Sequence, residues 1–151
     1  MIGLVIVAHG GLAREFLAAL EHVVGPQPCC SSVAVGAEDD GILCRDRVRA
    51  AIMQVDTGAG VVVVTDMVGG TPANLAVQAA LSLQGSAEGH AGTGVQVAVI
   101  HGANLPLLVK LAKLRSARLT EAVARAVDSG RKYVTSTMGL VPTDRQNAAA
   151  S

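Results

Sequence analysis

The stretch Val61-Val62-Val63-Val64-Thr65-Asp66-Met67-Val68-Gly69-Gly70-Thr71-Pro72-Ala73-Asn74 constrains this chain more than any other. A run of valines closed by threonine, with no polar alternation, predicts a strand covered on both faces, as at the centre of a parallel sheet. Asp66 stands where that strand should end. Gly69 and Gly70 then supply a flexible turn, Thr71 suits a helix N-cap, and Pro72 suits the first helical position. Strand, carboxylate, glycine turn and helix start thus follow one another at the carboxyl end of a central strand. Open α/β sheets take their ligands at that edge, and helix N-termini present unpaired N–H groups there.

A second apolar run, residues 2–8, ends in His9-Gly10-Gly11. If both runs are parallel strands of one sheet, His9 and Asp66 finish on the same edge and can meet. Alone, His9 could be an ordinary polar residue closing a strand, and Asp66 a turn residue or cap. Together they suggest chemistry. A carboxylate that accepts the Nδ1–H bond fixes the tautomer, leaves Nε2 unprotonated as a nucleophile and stabilises the ring once it turns positive. The glycines after His9 are expected to leave open space beside the imidazole. The backbone N–H groups of Gly69, Gly70 and Thr71, with the Thr71 hydroxyl, could then receive phosphate oxygens. His101 ends a further apolar run and should reach the same rim. There it and Asn104, which also suits a helix cap, could support the pair.

The remaining elements follow from periodicity. Leu12, Phe16, Leu17, Leu20, Val23 and Val24 recur at helical spacing and stop at Gly25-Pro26. A short strand is expected at 32–35. A helix should start near Asp39-Asp40 and run to about Val55, with Ile42, Leu43, Val48, Ile52 and Val55 as its apolar set. Further helices are expected over 72–83, from Asn104 to about Leu114, and over 120–128, the last closed by Ser129-Gly130. Residues 84–94 read as a surface loop, 95–101 as the fourth strand and 132–137 as a short edge strand. Strands alternating with helices predict an α/β fold: an open, mostly parallel sheet of four strands with helices on both faces. The C-terminal edge strand could be exchanged with a second copy. Residues 1–137 are expected to form one domain, and 138–151 a flexible tail.

Several classes are excluded on composition. The 151 residues carry zero formal net charge, and no basic stripe with aromatics appears, which argues against nucleic-acid binding. No apolar segment reaches the ~20 residues of a membrane span, and the N-terminus lacks the basic region of a signal peptide. Cys29, Cys30 and Cys44 lack C-x-x-C spacing and read as reduced thiols of a cytoplasmic protein. P-loop, G-x-G-x-x-G and G-x-S-x-G motifs are missing. A metal site would need three ligands, for which only His9, Asp66 and His101 are placed; His22 and His90 should be solvated, and no cofactor is expected.

Three segments, Ile6-Val-Ala-His9-Gly-Gly-Leu-Ala, Thr65-Asp66-Met-Val-Gly-Gly-Thr-Pro-Ala-Asn74 and Gly102-Ala-Asn104-Leu-Pro106, resemble a known family in order and spacing over roughly 1–136. It is enzyme IIA of the mannose class of the bacterial phosphoenolpyruvate-dependent sugar phosphotransferase system. The resemblance implies that His9 is phosphorylated at Nε2 by the phosphocarrier HPr, without metal. It also implies that Asp66 orients His9, that the Thr71 hydroxyl lies near the phosphoryl group, and that a homodimer exchanges the strand at 132–137. Thr71 replaces a serine of many members, Val68 an aromatic residue and Ala73 a phenylalanine, changes that bear on the surface partners meet. No B domain follows, so the expected acceptor is a separate IIB component, or a regulatory protein that reads the phosphorylation state. The phosphoryl-donor subunit of a dihydroxyacetone kinase shares the fold but not the Gly-Gly-Thr-Pro-Ala-Asn run. A small-ligand binding or regulatory module without phosphoryl chemistry, or a metal hydrolase, would be readings of a different class.

Overall fold

The computed structural model describes residues 1–84 and 94–137. Its elements are β1 (Gly3–His9), α1 (Leu12–Val24), β2 (Cys30–Val35), α2 (Gly41–Val55), β3 (Val61–Thr65), α3 (Thr71–Gln84), β4 (Val97–His101), α4 (Leu105–Lys113) and α5 (Leu119–Lys132). The four strands are all parallel, in the order β2-β1-β3-β4. The chain leaves β1 for β2 on one side and returns to β3 on the other. The crevice between the carboxyl ends of β1 and β3 is therefore the topological switch point, where open sheets bind ligands.

Strand alternation sorts the core into two layers. Val5, Val7, Val61 and Val63 pack under α2 and α3, against Val48, Ile52, Leu75, Ala76 and Leu83. Leu4, Ile6, Val62 and Val64 point the other way, under α1, α4 and α5, against Leu20, Leu108, Leu111 and Ala126. Both faces of β1 and β3 are thus covered, which is why those strands read as unbroken apolar runs. Alanines at 73, 76, 79 and 80, all buried, let α3 lie close on the sheet. At the opposite, amino-terminal edge the buried Arg115 pins the strand starts. Its Nε donates to the Ile2 carbonyl (2.8 Å) and its Nη2 to the Cys29 carbonyl (3.0 Å). Among the described residues no helix is long and apolar enough to cross a membrane.

Three expectations need correction, and a fourth, the strand at 132–137, concerns a second copy. Ser129-Gly130 does not stop the last helix, which runs on to Lys132. A Cβ on Gly130 would lie 3.0 Å from Leu107 Cδ1, and Asn104 Nδ2 donates to the Gly130 carbonyl at 3.0 Å, so this glycine is a contact point between α4 and α5. Within the single chain 132–137 is not a strand: Lys132 ends α5, and the residues after it lie outside the sheet. Ile42 and Leu43 face solvent; Cys44, Val48, Ala51, Ile52 and Val55 form the buried stripe of α2, and Asp40 caps it by accepting from the Ile42 and Leu43 N–H groups. Finally, Gly70 rather than Thr71 occupies the cap of α3, since the Asn74 N–H donates to the Gly70 carbonyl (3.0 Å) and Thr71 is the first helical residue. The expected loop position of His90 and the tail at 138–151 lie outside the described residues.

Candidate functional site

His9 is the last residue of β1, and Asp66 directly follows β3. The β1–β3 ladder pairs Val7 with Thr65, and beyond that rung the Asp66 side chain replaces the backbone as acceptor. Its Oδ2 accepts the His9 backbone N–H at 3.0 Å and lies 2.7 Å from His9 Nδ1. Its Oδ1 accepts the Met67 N–H at 3.0 Å. Burial alone would push the Asp66 carboxyl up; the His9 backbone N–H, the His9 ring and the Met67 N–H outweigh it and hold the group below the ordinary carboxylate value. An ionised carboxylate is acceptor-only, so Nδ1 must be the protonated ring nitrogen and Nε2 carries the lone pair. The pair is asymmetric in exposure: 49% of the His9 side chain is accessible against 12% of the Asp66 side chain. The carboxylate is sheltered and the imidazole is half exposed.

The space beside the imidazole is bounded by a glycine from a second element. Gly10 turns the chain at φ +53°, with its N–H bonded to the Val35 carbonyl (2.9 Å). Gly70, arriving from the turn after β3, clears room as well: a Cβ there would sit 3.0 Å from His9 Cε1 and 3.5 Å from Nε2. Glycine at the cap of α3 thus brings a helix N-terminus directly against the ring. Thr71 presents an exposed hydroxyl in the first turn, where helical N–H groups have no partner within the helix. Pro72, at the second position, has no N–H to leave unpaired.

The other expected members stand apart. His101 is hydrogen-bonded to neither His9 nor Asp66; its Nδ1 lies 2.7 Å from Thr65 Oγ1, a hydroxyl buried at the end of β3. Asn104 is consumed in structure: Oδ1 accepts the Leu107 N–H (3.0 Å) and Nδ2 serves Gly130. Neither role of Thr65 nor that of Gly70 was legible beforehand. A threonine closing a valine run reads as strand, and the spacer role of Gly70 requires knowing that α3 starts opposite β1. Among the described residues no three His, Cys, Asp or Glu side chains are grouped to hold a metal ion.

A strand-end histidine set by an aspartate from the neighbouring strand, at the switch point of a parallel sheet, defines an α/β protein equipped for base or nucleophile chemistry. Comparison with known proteins narrows this. Residues 3–128 match the family EIIA-man, described as the PTS system fructose IIA component. The chain is 27% identical over 135 residues to the PTS system mannose-specific EIIAB component of Escherichia coli strain K12, covering 88% of this chain and 38% of that protein. The chain therefore spans well under half the length of the curated relatives it matches. Among solved structures it is similar to the phosphotransferase system component EIIA from Streptococcus agalactiae, with TM-score 0.74 and 25% identity over 92% of this chain and 99% of that one. It is likewise similar to the mannose/sorbose specific IIA subunit from Enterococcus faecalis, with TM-score 0.73 and 25% identity over 89% and 93% of the two chains. The chain belongs to the mannose-class IIA family of the sugar phosphotransferase system, a family of transferase components.

Proposed function

We propose that the chain is a phosphohistidine carrier, with His9 Nε2 as the acceptor of a phosphoryl group from phospho-HPr. The observation that carries this reading is the 2.7 Å contact between His9 Nδ1 and Asp66 Oδ2, which leaves Nε2 as the ring nitrogen with the lone pair on a half-exposed side chain. In the transfer an Nε2–P bond forms while the donor's P–N bond breaks. The proton on Nδ1 stays in its bond to Asp66, whose negative charge balances the ring as it becomes cationic. The first-turn N–H groups of α3 and the Thr71 hydroxyl receive the phosphoryl oxygens, with Gly69 and Gly70 letting the backbone approach. Positioning and charge stabilisation do most of the work, as in phosphoryl transfer generally.

Transfer onward goes to a IIB component, or the phosphorylation state is read by a regulatory protein. The reading carries with it a cytoplasmic, metal-free protein that dimerises by exchanging 132–137 between copies. It is tested by intact-mass analysis after incubation with phosphoenolpyruvate, enzyme I and HPr, without added metal. One acid-labile phosphoryl group, absent only in His9→Ala and retained in His101→Ala, is the expected result. Folded wild type that takes up no phosphoryl group, including from HPr of its own host, would overturn the reading in favour of ligand binding at the same rim. Dimerisation is checked separately: deletion from Tyr133 onward should weaken self-association in sedimentation, and an unchanged dimer would refute strand exchange.

A further inference from the structure

Gly102-Ala103-Asn104-Leu105-Pro106 takes no part in the His9–Asp66 geometry, yet it borders a recess of its own. This cavity, of about 240 Å³, opens at the carboxyl end of β4 and is lined by His101, Gly102, Asn104, Leu107, Val127 and Arg131 among others, with no carboxylate. Two strand spacings separate β4 from β1, which puts the recess on the order of 10 Å from the His9 rim.

The cationic side of the recess is built rather than incidental. Thr65, wholly buried, holds His101 by Nδ1 at 2.7 Å, so the ring is fixed and Nε2 is the nitrogen left for a ligand. Where the hydroxyl donates to Nδ1, Nε2–H is a donor in the neutral ring, and in the protonated ring both nitrogens donate. Arg131 has no ion pair or hydrogen-bond acceptor for its guanidinium among the described residues, in contrast to Arg45 and Arg125, which pair with Asp46 and Glu121. The wall between them is stiff, because Asn104 is tied at both ends, to the Leu107 N–H and to the Gly130 carbonyl. We propose that His101 and Arg131 form a binding subsite for a small phosphate-bearing anion, distinct from the His9 centre. A guanidinium fork and an imidazole N–H lining one recess can together serve several acceptor oxygens, which a phosphate dianion supplies. The recess is too small for a nucleotide-sized ligand, for which pockets of about 300–1,000 Å³ are usual.

The test is an NMR titration of the full chain carrying His9→Ala, at fixed pH, so that anions held by α3 and any failure of the phosphocarrier reading leave the outcome untouched. Inorganic phosphate and glucose 6-phosphate are the probes, and the His101 ring and Arg131 side-chain nitrogens are the reporters. Saturable shifts at both reporters are expected. Tighter binding of the sugar phosphate would identify an organic phosphate as the ligand, and equal binding would identify free phosphate. Arg131→Gln, an exposed helix position that spares the buried Thr65 hydroxyl, should weaken binding about tenfold through loss of a charge-assisted contact. Absence of a saturable shift at His101, or equal affinity in Arg131→Gln, would overturn the proposal.

Discussion

Replacing Gly70 by alanine isolates the geometry on which the carrier reading depends. The added methyl would sit 3.0 Å from His9 Cε1 and 3.4 Å from Met67 Cγ, with His9 Nε2 at 3.5 Å. Carbon–carbon contacts are ordinarily about 3.5–4.0 Å, so the imidazole must retreat by roughly half an ångström. It cannot do so freely, because Nδ1 is held at 2.7 Å by Asp66. Since a misplacement of about 1 Å can cost ~100-fold in rate, half of that should slow phosphoryl uptake about tenfold. Stability should change little: Gly70 is not among the positive-φ glycines, and losing glycine at the cap is offset by a less flexible unfolded chain, to within about 1 kcal/mol. Gly69→Ala should show the opposite pattern. Gly69 sits at φ +80° with open space around its missing side chain, so alanine strains the backbone and leaves His9 alone. That strain should cost about 1–2 kcal/mol while the His9 ring shifts stay near wild type. Time courses by intact mass give the rates, urea melts the stabilities, and the His9 ring ¹⁵N shifts report the imidazole without phosphorylation. Gly70→Ala with wild-type rate and wild-type ring shifts would refute the idea that the ring is confined from this side.

Three further outcomes follow from the same contacts. Because its hydrogen bonds to His9 and Met67 hold Asp66 below the ordinary carboxylate value, its contribution to stability is full above the unfolded value and is lost as pH falls through the folded one. Urea melts should therefore show the gap between wild type and Asp66→Asn closing as pH falls from the ordinary carboxylate value through the folded one, and phosphoryl uptake by Asp66→Asn should be much slower at neutral pH. Arg115→Met leaves the Ile2 and Cys29 carbonyls without their donor and should destabilise the fold by about 2–4 kcal/mol. Its phosphorylation rate, measured well below the melting temperature, should be unchanged, since the residue lies at the opposite edge of the sheet. Gly130→Ala drives a methyl into Leu107 and should cost about 1 kcal/mol net, overpacking outweighing the gain in helix propensity; a more stable variant would show that α4 and α5 are not in tight contact there.

What could be read in the sequence is what a strand or helix determines alone. Val61–Thr65 is apolar throughout because both of its faces are covered, and that information is local. Asp40 marks the start of α2 and Asn104 that of α4 because a cap acts within three residues. What could not be read depends on a partner surface. Ser129-Gly130 carries the composition of a helix stop, yet here serine and glycine are the residues thin enough for α5 to touch α4. Ile42 and Leu43 are apolar but stand off the Cys44, Val48, Ile52 and Val55 stripe, so they face solvent while their neighbour Cys44 is buried. The glycines next to His9 can be read as open space, but the approach of Gly70 to the ring cannot, because it arrives from another element.

The meeting of His9 and Asp66 is of a third kind, because it follows from chain direction and strand order together. Parallel strands alone place every strand end on one edge, so His101 shares that edge too; yet His101 bonds to Thr65 and not to the pair. Adjacency decides the difference. Asp66 reaches both the backbone N–H and the ring of His9 because β3 lies directly beside β1, one rung beyond the Val7–Thr65 pairing. Had β4 been inserted between them, the carboxylate would have faced His101, and Nδ1 of His9 would have lost its acceptor. The crossover that sends the chain from β2 back past β1 to β3 is thus what turns an apolar strand ending in histidine into a site with one defined tautomer.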